Sequence, residues 1–128
     1  MNTTISKEIL SLIINLENLL KNTEVDKFDI KLKVLHLISE NEKTTPNFLI
    51  EKLGMARSNL AIMCNKLVKS GLIAKKKEPL NKKEIFYMIT ESGTNLLQEN
   101  YDKADANLNK YRNKSKIARL SKELSKIV

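Results

Sequence analysis

Apolar residues near the start of the chain recur at steps of three and four: Ile5, Ile9, Leu12, Ile13, Leu16, Leu19 and Leu20. That spacing lays a broad apolar stripe along one face of a helix. Glu8, Asn15 and Glu17 interrupt the run, which is also short for a bilayer span, so no leader and no membrane segment is expected here. A second helix is predicted from Phe28 to Glu40, with Phe28, Leu32, Val34, Leu35, Leu37 and Ile38 as its apolar positions and the polar "ENEKTT" after it. Thr45 is a good N-cap and Pro46 suits a first helical position, so a short third helix runs to Leu53 and stops at Gly54. A fourth begins near Ala56 and reaches Ser70. Leu60, Met63, Cys64 and Leu67 stand at core spacing in it, and Gly71 is its stop.

Beyond Gly71 the period changes to nearly two. "LIAKKK" and "EIFYMI" read as paired strands, the second rich in β-branched and aromatic residues, with "EPLNK" as the tip of the hairpin. Thr90 then starts a long helix in which Leu97, Tyr101, Ala104, Leu108 and Tyr111 follow a heptad-like spacing. "RNKSK" interrupts that seam, and Ile117, Leu120, Leu124 and Ile127 resume it in another register as a final short helix. The predicted class is mainly α with a small β-hairpin, in one domain spanning 1–128. Within it, 28–90 forms a winged helix-turn-helix lobe. In such a lobe the helix after the glycine turn enters the DNA major groove, and the hairpin reaches flanking phosphates or the minor groove.

Charge sharpens this picture. The chain of 128 residues carries 23 Lys and Arg against 15 Asp and Glu, a net of +8, but the excess is concentrated. Residues 57–83 hold eight basic residues and one acid, and 110–128 hold seven and one, whereas 1–56 and 84–109 are net acidic. Basic blocks attract polyanions, with nucleic acid first and an anionic surface second.

With Leu60, Met63, Cys64 and Leu67 inward, the opposite face of the fourth helix presents Arg57, Ser58, Asn59, Ala61, Ile62, Asn65, Lys66 and Lys69. Arginine can bond guanine O6 and N7, asparagine can pair with adenine, and Ala or Ile can touch a thymine methyl. Ser58 and Lys66 suit phosphates. Ile62 either reads such a methyl or shows that the facing is off by one position. Thr45 and Asn47, at the start of the third helix, complete that side of the candidate DNA surface. In the wing, Lys75, Lys76 and Lys77 alternate in direction if extended, so Lys77, Lys82 and Lys83 are the predicted contacts. A solvated hairpin tip is the plain alternative for these lysines, as a solvated surface is for the helix face.

Cys64 stands at a core position, where a buried small hydrophobe is the simpler expectation than a redox switch. His36 suits a locally paired histidine better than a titrating sensor. One His, one Cys and no acid cluster cannot supply a catalytic triad or a zinc site, so neither enzyme activity nor a cofactor is expected. The N- and C-terminal stripes exceed what a winged helix of this size can cover. Ile5, Ile9, Leu12, Ile13, Leu16, Leu108, Tyr111, Ile117, Leu120 and Leu124 are therefore the candidate dimerisation residues, within helices at 5–21 and 94–128. Packing within the chain is the alternative.

The segment from Thr44 to Leu97 resembles the DNA-binding lobe of the MarR (multiple antibiotic resistance regulator) family. The family pattern of a Thr-started helix, a Leu-Gly turn, a recognition helix ending in Gly-Leu-Ile, a charged wing and a closing Thr-x-x-Gly is matched in order. Its places are taken by Thr45, Leu53-Gly54, Arg57 to Lys69, Gly71-Leu72-Ile73, Glu78 with Lys82-Lys83, and Thr90 with Gly93. Two positions depart from it. Asn81 and lysines replace the usual Asp and arginine pair of the wing, exchanging a planar fork for flexible point charges. Ala56 replaces the usual Ser or Thr cap of the recognition helix, which should weaken the helix start by about 1 kcal/mol.

The resemblance implies a cytoplasmic homodimeric transcription regulator, typically a repressor on double-stranded DNA, with interlocked N- and C-terminal helices. It also implies a small apolar or phenolic effector, for which Phe28, His36, Phe48 and Tyr101 are the candidate lining. A winged-helix protein-interaction module, or an architectural DNA binder without ligand control, is the rival expectation.

Overall fold

The computed structural model describes residues 5–22 and 29–128. In chain order its elements are α1 (Ile5–Asn22), α2 (Ile30–Ser39), α3 (Pro46–Leu53), α4 (Arg57–Lys69), β1 (Ile73–Lys77), β2 (Ile85–Ile89), α5 (Glu91–Leu108) and α6 (Lys116–Ser125). The order matches the periodicities, so the fold is mainly α with one antiparallel hairpin. The chain divides into two compact units: Phe28–Asn100, and Met1–Lys27 with Tyr101–Val128.

In the first unit, α2 starts where Asp29 accepts a hydrogen bond from the Leu32 amide at 3.0 Å. It buries Leu32, Val34, Leu35 and Ile38. Thr45 caps α3 in the same way, taking the Phe48 amide at 3.2 Å. These caps satisfy amide groups that a helix start otherwise leaves unpaired. Leu49 of α3, Leu60, Cys64 and Leu67 of α4, Ile73 of β1, Phe86 and Tyr87 of β2, and Leu97 of α5 join the α2 residues in the buried core.

The end of α4 follows from the backbone. Gly71, at φ 76°, occupies the left-handed region, and its amide and that of Leu72 donate back to the carbonyls of Val68 and Leu67, both at 3.0 Å. This Schellman arrangement needs a residue without a Cβ penalty at that position. The chain then enters β1, whose register pairs Ile73 with Ile89, Lys75 with Tyr87 and Lys77 with Ile85. Thr44 adds a bridge to Tyr87 on the other side of β2, with backbone hydrogen bonds of 3.1 and 2.7 Å. The sequence pattern had suggested a hairpin without this third strand-like segment. A single bridged residue leaves no alternation to detect.

Thr90 joins the hairpin to α5. Its hydroxyl donates to the Gly71 carbonyl at 2.6 Å and accepts from the Gly93 amide at 3.1 Å, while its own amide donates to the Leu72 carbonyl at 3.2 Å. A Cβ on Gly93 would collide with the Leu72 carbonyl and lie 2.8 Å from Ile89 Cγ1. The Thr-x-x-Gly signature is thus a contact motif: threonine ties the wing to the helix, and glycine lets their backbones approach.

In the second unit, α1 leaves Ile5, Ile9, Leu10, Leu12, Ile13, Ile14, Leu16 and Leu20 exposed. In α6, Leu120 and Leu124 are exposed and Ile117 is half-buried. The seam proposed for the long helix runs only to Leu108; Tyr111 falls in the connection between α5 and α6. Both residues are half-buried. Among the described residues, no helix is long and apolar enough to cross a membrane.

Candidate nucleic-acid interface

The face of α4 opposite the core is built by helical spacing alone. Leu60, Cys64 and Leu67 are buried, while Arg57, Ser58, Asn59, Ala61, Ile62, Asn65, Lys66 and Lys69 are all exposed. Ile62 is 56% exposed, so the facing is in phase and its apolar side chain points to solvent. Met63, expected inward, is half-buried at the margin.

The start of α4 has no side-chain cap: Ala56 adopts the extended cap geometry, φ −67° and ψ 144°, without an oxygen to offer. Arg57, its first residue, reaches across to α3, where its Nη2 donates to Asn47 Oδ1 at 2.8 Å. Thr45 and Asn47 are both exposed. The candidate residues of α3 and α4 therefore adjoin one another.

In the wing, Lys75, Lys76, Lys77, Lys82 and Lys83 are exposed. Asn81 Oδ1 accepts from the Lys83 amide at 3.2 Å and its carbonyl accepts from the Glu84 amide at 2.9 Å, which folds the tip. A second hydrogen bond, Glu78 amide to Glu84 carbonyl at 3.0 Å, closes the strands below it. Leu80 stands fully exposed at that tip. Glu78, the acid among the wing lysines, lies 3.2 Å from Lys43 Nζ, and the same ammonium sits 5.0 Å from the centre of the Phe86 ring. Sequence reasoning missed Lys43, because its partners lie some forty residues away. It pairs with one of the wing's two acids; the other, Glu84, follows Lys83 in the tip.

Beneath the interface, the Tyr87 phenol and the Cys64 thiol lie near enough to act on each other's proton affinity. Burial raises the thiol's pKa above its ordinary value, while Tyr87 and the charge of Lys75 pull it the other way. Burial, with Cys64 beside it, pushes the Tyr87 phenol up to about 12. A thiol that is buried and held protonated is a poor nucleophile, in line with the core role expected of Cys64.

The four residues suggested for an effector lining are not gathered by any single feature. His36 Nε2 lies 3.1 Å from Glu40 Oε1, Phe48 is half-buried with Lys52 Nζ 5.9 Å from its ring centre, Tyr101 belongs to the other unit, and Phe28 lies outside the described residues. A cavity of about 300 Å³ in the lobe is lined instead by Ser39, Glu40, Asn41, Glu42, Met88 and Ile89. Among the described residues, no group of three His, Cys, Asp or Glu could hold a metal ion.

A two-helix turn with an outward polar face, followed by a basic hairpin, defines a winged helix-turn-helix protein. Residues 31–85 match the family model described as MarR family, so this lobe is similar to that family. The chain is 34% identical over 73 residues to the uncharacterized HTH-type transcriptional regulator YvnA of Bacillus subtilis (strain 168), a match covering 55% of this chain and 46% of that protein. The chain thus spans about half the length of that relative. Among solved structures, the multiple antibiotic resistance repressor MarR superposes with a TM-score of 0.70 at 19% identity, over 100% of this chain and 97% of the other. FabT of Streptococcus pneumoniae, in complex with DNA, gives 0.65 at 16%, over 94% and 90%. CouR of Rhodococcus jostii RHA1, bound to p-coumaroyl-CoA, gives 0.69 at 17%, over 98% and 95%. At these identities the likeness establishes the fold.

Proposed function

We propose that the chain is a cytoplasmic, homodimeric, sequence-specific DNA-binding transcription regulator that represses by occupying a promoter. The observation that carries this is the exposed outward face of α4, whose members run from Arg57 to Lys69, next to the exposed lysines of the wing. The helix supplies groove readers, and Lys77, Lys82 and Lys83 supply phosphate or minor-groove contacts. Dimerisation is assigned to α1 and to residues 94–128, with 28–90 as the reading lobe. It is supported by the exposed isoleucines and leucines of α1 and α6, which a solvated monomer would leave as a large apolar patch. Two-fold symmetry then calls for a roughly palindromic site with half-sites about 10 bp apart.

CouR is a protein of this fold with a small-molecule thioester bound, which supports effector control here by a small apolar or phenolic compound. Such a ligand acts only by binding two lobe spacings unequally. An architectural DNA binder is the second reading, favoured by a wing that carries lysines rather than arginines and so grips charge more than sequence.

Mobility shifts on genomic fragments at two salt concentrations test the proposal. With four phosphates neutralised per subunit, log affinity should fall against log salt with a slope of about −7. Arg57→Ala should reduce preference among fragments, and Lys82→Ala/Lys83→Ala should weaken all of them alike. Salt-insensitive or absent binding sinks the DNA reading; equal, uniform losses from both variants favour the architectural one.

A further inference from the structure

We infer that Asn47 is a positioning residue for Arg57, and that the pair sets the base preference at one position of each half-site. The inference rests on the DNA-binding reading above. Arg57 is the first residue of α4 and Asn47 the second of α3, and the guanidinium Nη2 donates to the Asn47 side-chain amide oxygen, Oδ1, at 2.8 Å between two exposed side chains. An exposed arginine without a partner samples many rotamers. One bond from a rigid element reduces that set and fixes the plane of the guanidinium. It uses one of five donors, so enough remain for the two parallel bonds that guanine O6 and N7 accept.

The chemistry of the holder matters as much as its place. Among the described residues Arg57 forms no ion pair, and neither α3 nor α4 has an acid in its first turn. A carboxylate at position 47 would hold the guanidinium equally well, but it would also neutralise the charge that DNA has to meet. The neutral amide orients Arg57 and leaves its charge available. Ala56 offers no side-chain oxygen at the helix start, so the cap position does not compete for the arginine.

The test selects bound duplexes from a randomised library of about 30 bp, long enough for two half-sites, using the full chain. It then measures affinities of the preferred duplex and its single-base substitutions for wild type, Arg57→Ala, Asn47→Ala and Asn47→Asp, with thermal melting of each. Arg57→Ala should flatten preference at one G·C position per half-site, a loss of about tenfold in discrimination. Asn47→Ala should reduce discrimination at that same position by more than it reduces affinity for unrelated duplex, with unchanged melting. Asn47→Asp should weaken binding to every duplex. Full discrimination by Asn47→Ala, or an equal loss on specific and unrelated duplexes, overturns the pairing while leaving the DNA reading in place. Absence of salt-dependent duplex binding by the wild type overturns both.

Discussion

Tyr87 pairs through its backbone with both Thr44 and Lys75, and its phenol lies near Cys64 beneath the recognition helix. Its pKa in the fold, about 12, lies above the ordinary 10.0 because burial disfavours the phenolate. The linkage sign follows: the folded state holds this proton more tightly than the unfolded one. The associated stability is complete below the ordinary value and is lost as pH rises from about 10 to about 12. The Cys64 thiol, also shifted up, acts in the same direction. Denaturant midpoints across this range should fall for wild type and fall less for Tyr87→Phe. Parallel curves would show that the phenol contributes nothing to the decline. The sequence marked Cys64 as core from its spacing, but it could not reveal Tyr87 as its partner. Twenty-three positions separate them, and only the tertiary fold brings them together.

Helix ends and junctions carry the next set of consequences. The Ala56 cap was legible from sequence, and the structure supplies the extended backbone into which a serine would fit. Ala56→Ser should therefore raise stability by about 1 kcal/mol, measured by urea unfolding; no gain would mean that the first-turn amides of α4 are already satisfied. At the other junction, Gly93→Ala places a methyl against the Leu72 carbonyl, which cannot retreat without disturbing its hydrogen bond from Thr90. A loss of about 2–3 kcal/mol is expected from this overpacking, and a thermal melt equal to wild type would show that wing and helix separate freely. The Thr-x-x-Gly pattern was visible in the sequence as a signature, whereas its cause was not. A collision between backbones is a property of the packed junction.

At the scale of the whole molecule, the exposed stripe of α1 is the largest feature without a role inside one chain. Ile9 and Leu16, on its centre line, are exposed. Ile9→Glu/Leu16→Glu should convert a dimer to a monomer in sedimentation while the lobe retains its fold. The slope of log affinity against log salt should then drop from about −7 to about −3.5, because one lobe neutralises half as many phosphates. A variant that stays dimeric would move the interface elsewhere on the chain.

Periodicity with local cap and stop signals was enough to place the described helices, the hairpin and the outward face of α4, though not the end of α5, because a step of 3.6 or 2 residues decides which side chains share a side before any packing occurs. The exposed state of Ile62 follows from that arithmetic. Composition supplied the basic blocks, and local chemistry supplied the Thr45 cap and the Gly71 stop. Tertiary structure decided the pairings: Asn47 with Arg57, Lys43 with Glu78, Tyr87 with Cys64, and Gly93 against Leu72. Each joins residues on different elements, and local periodicity carries no information about the distance between two faces until the core has closed.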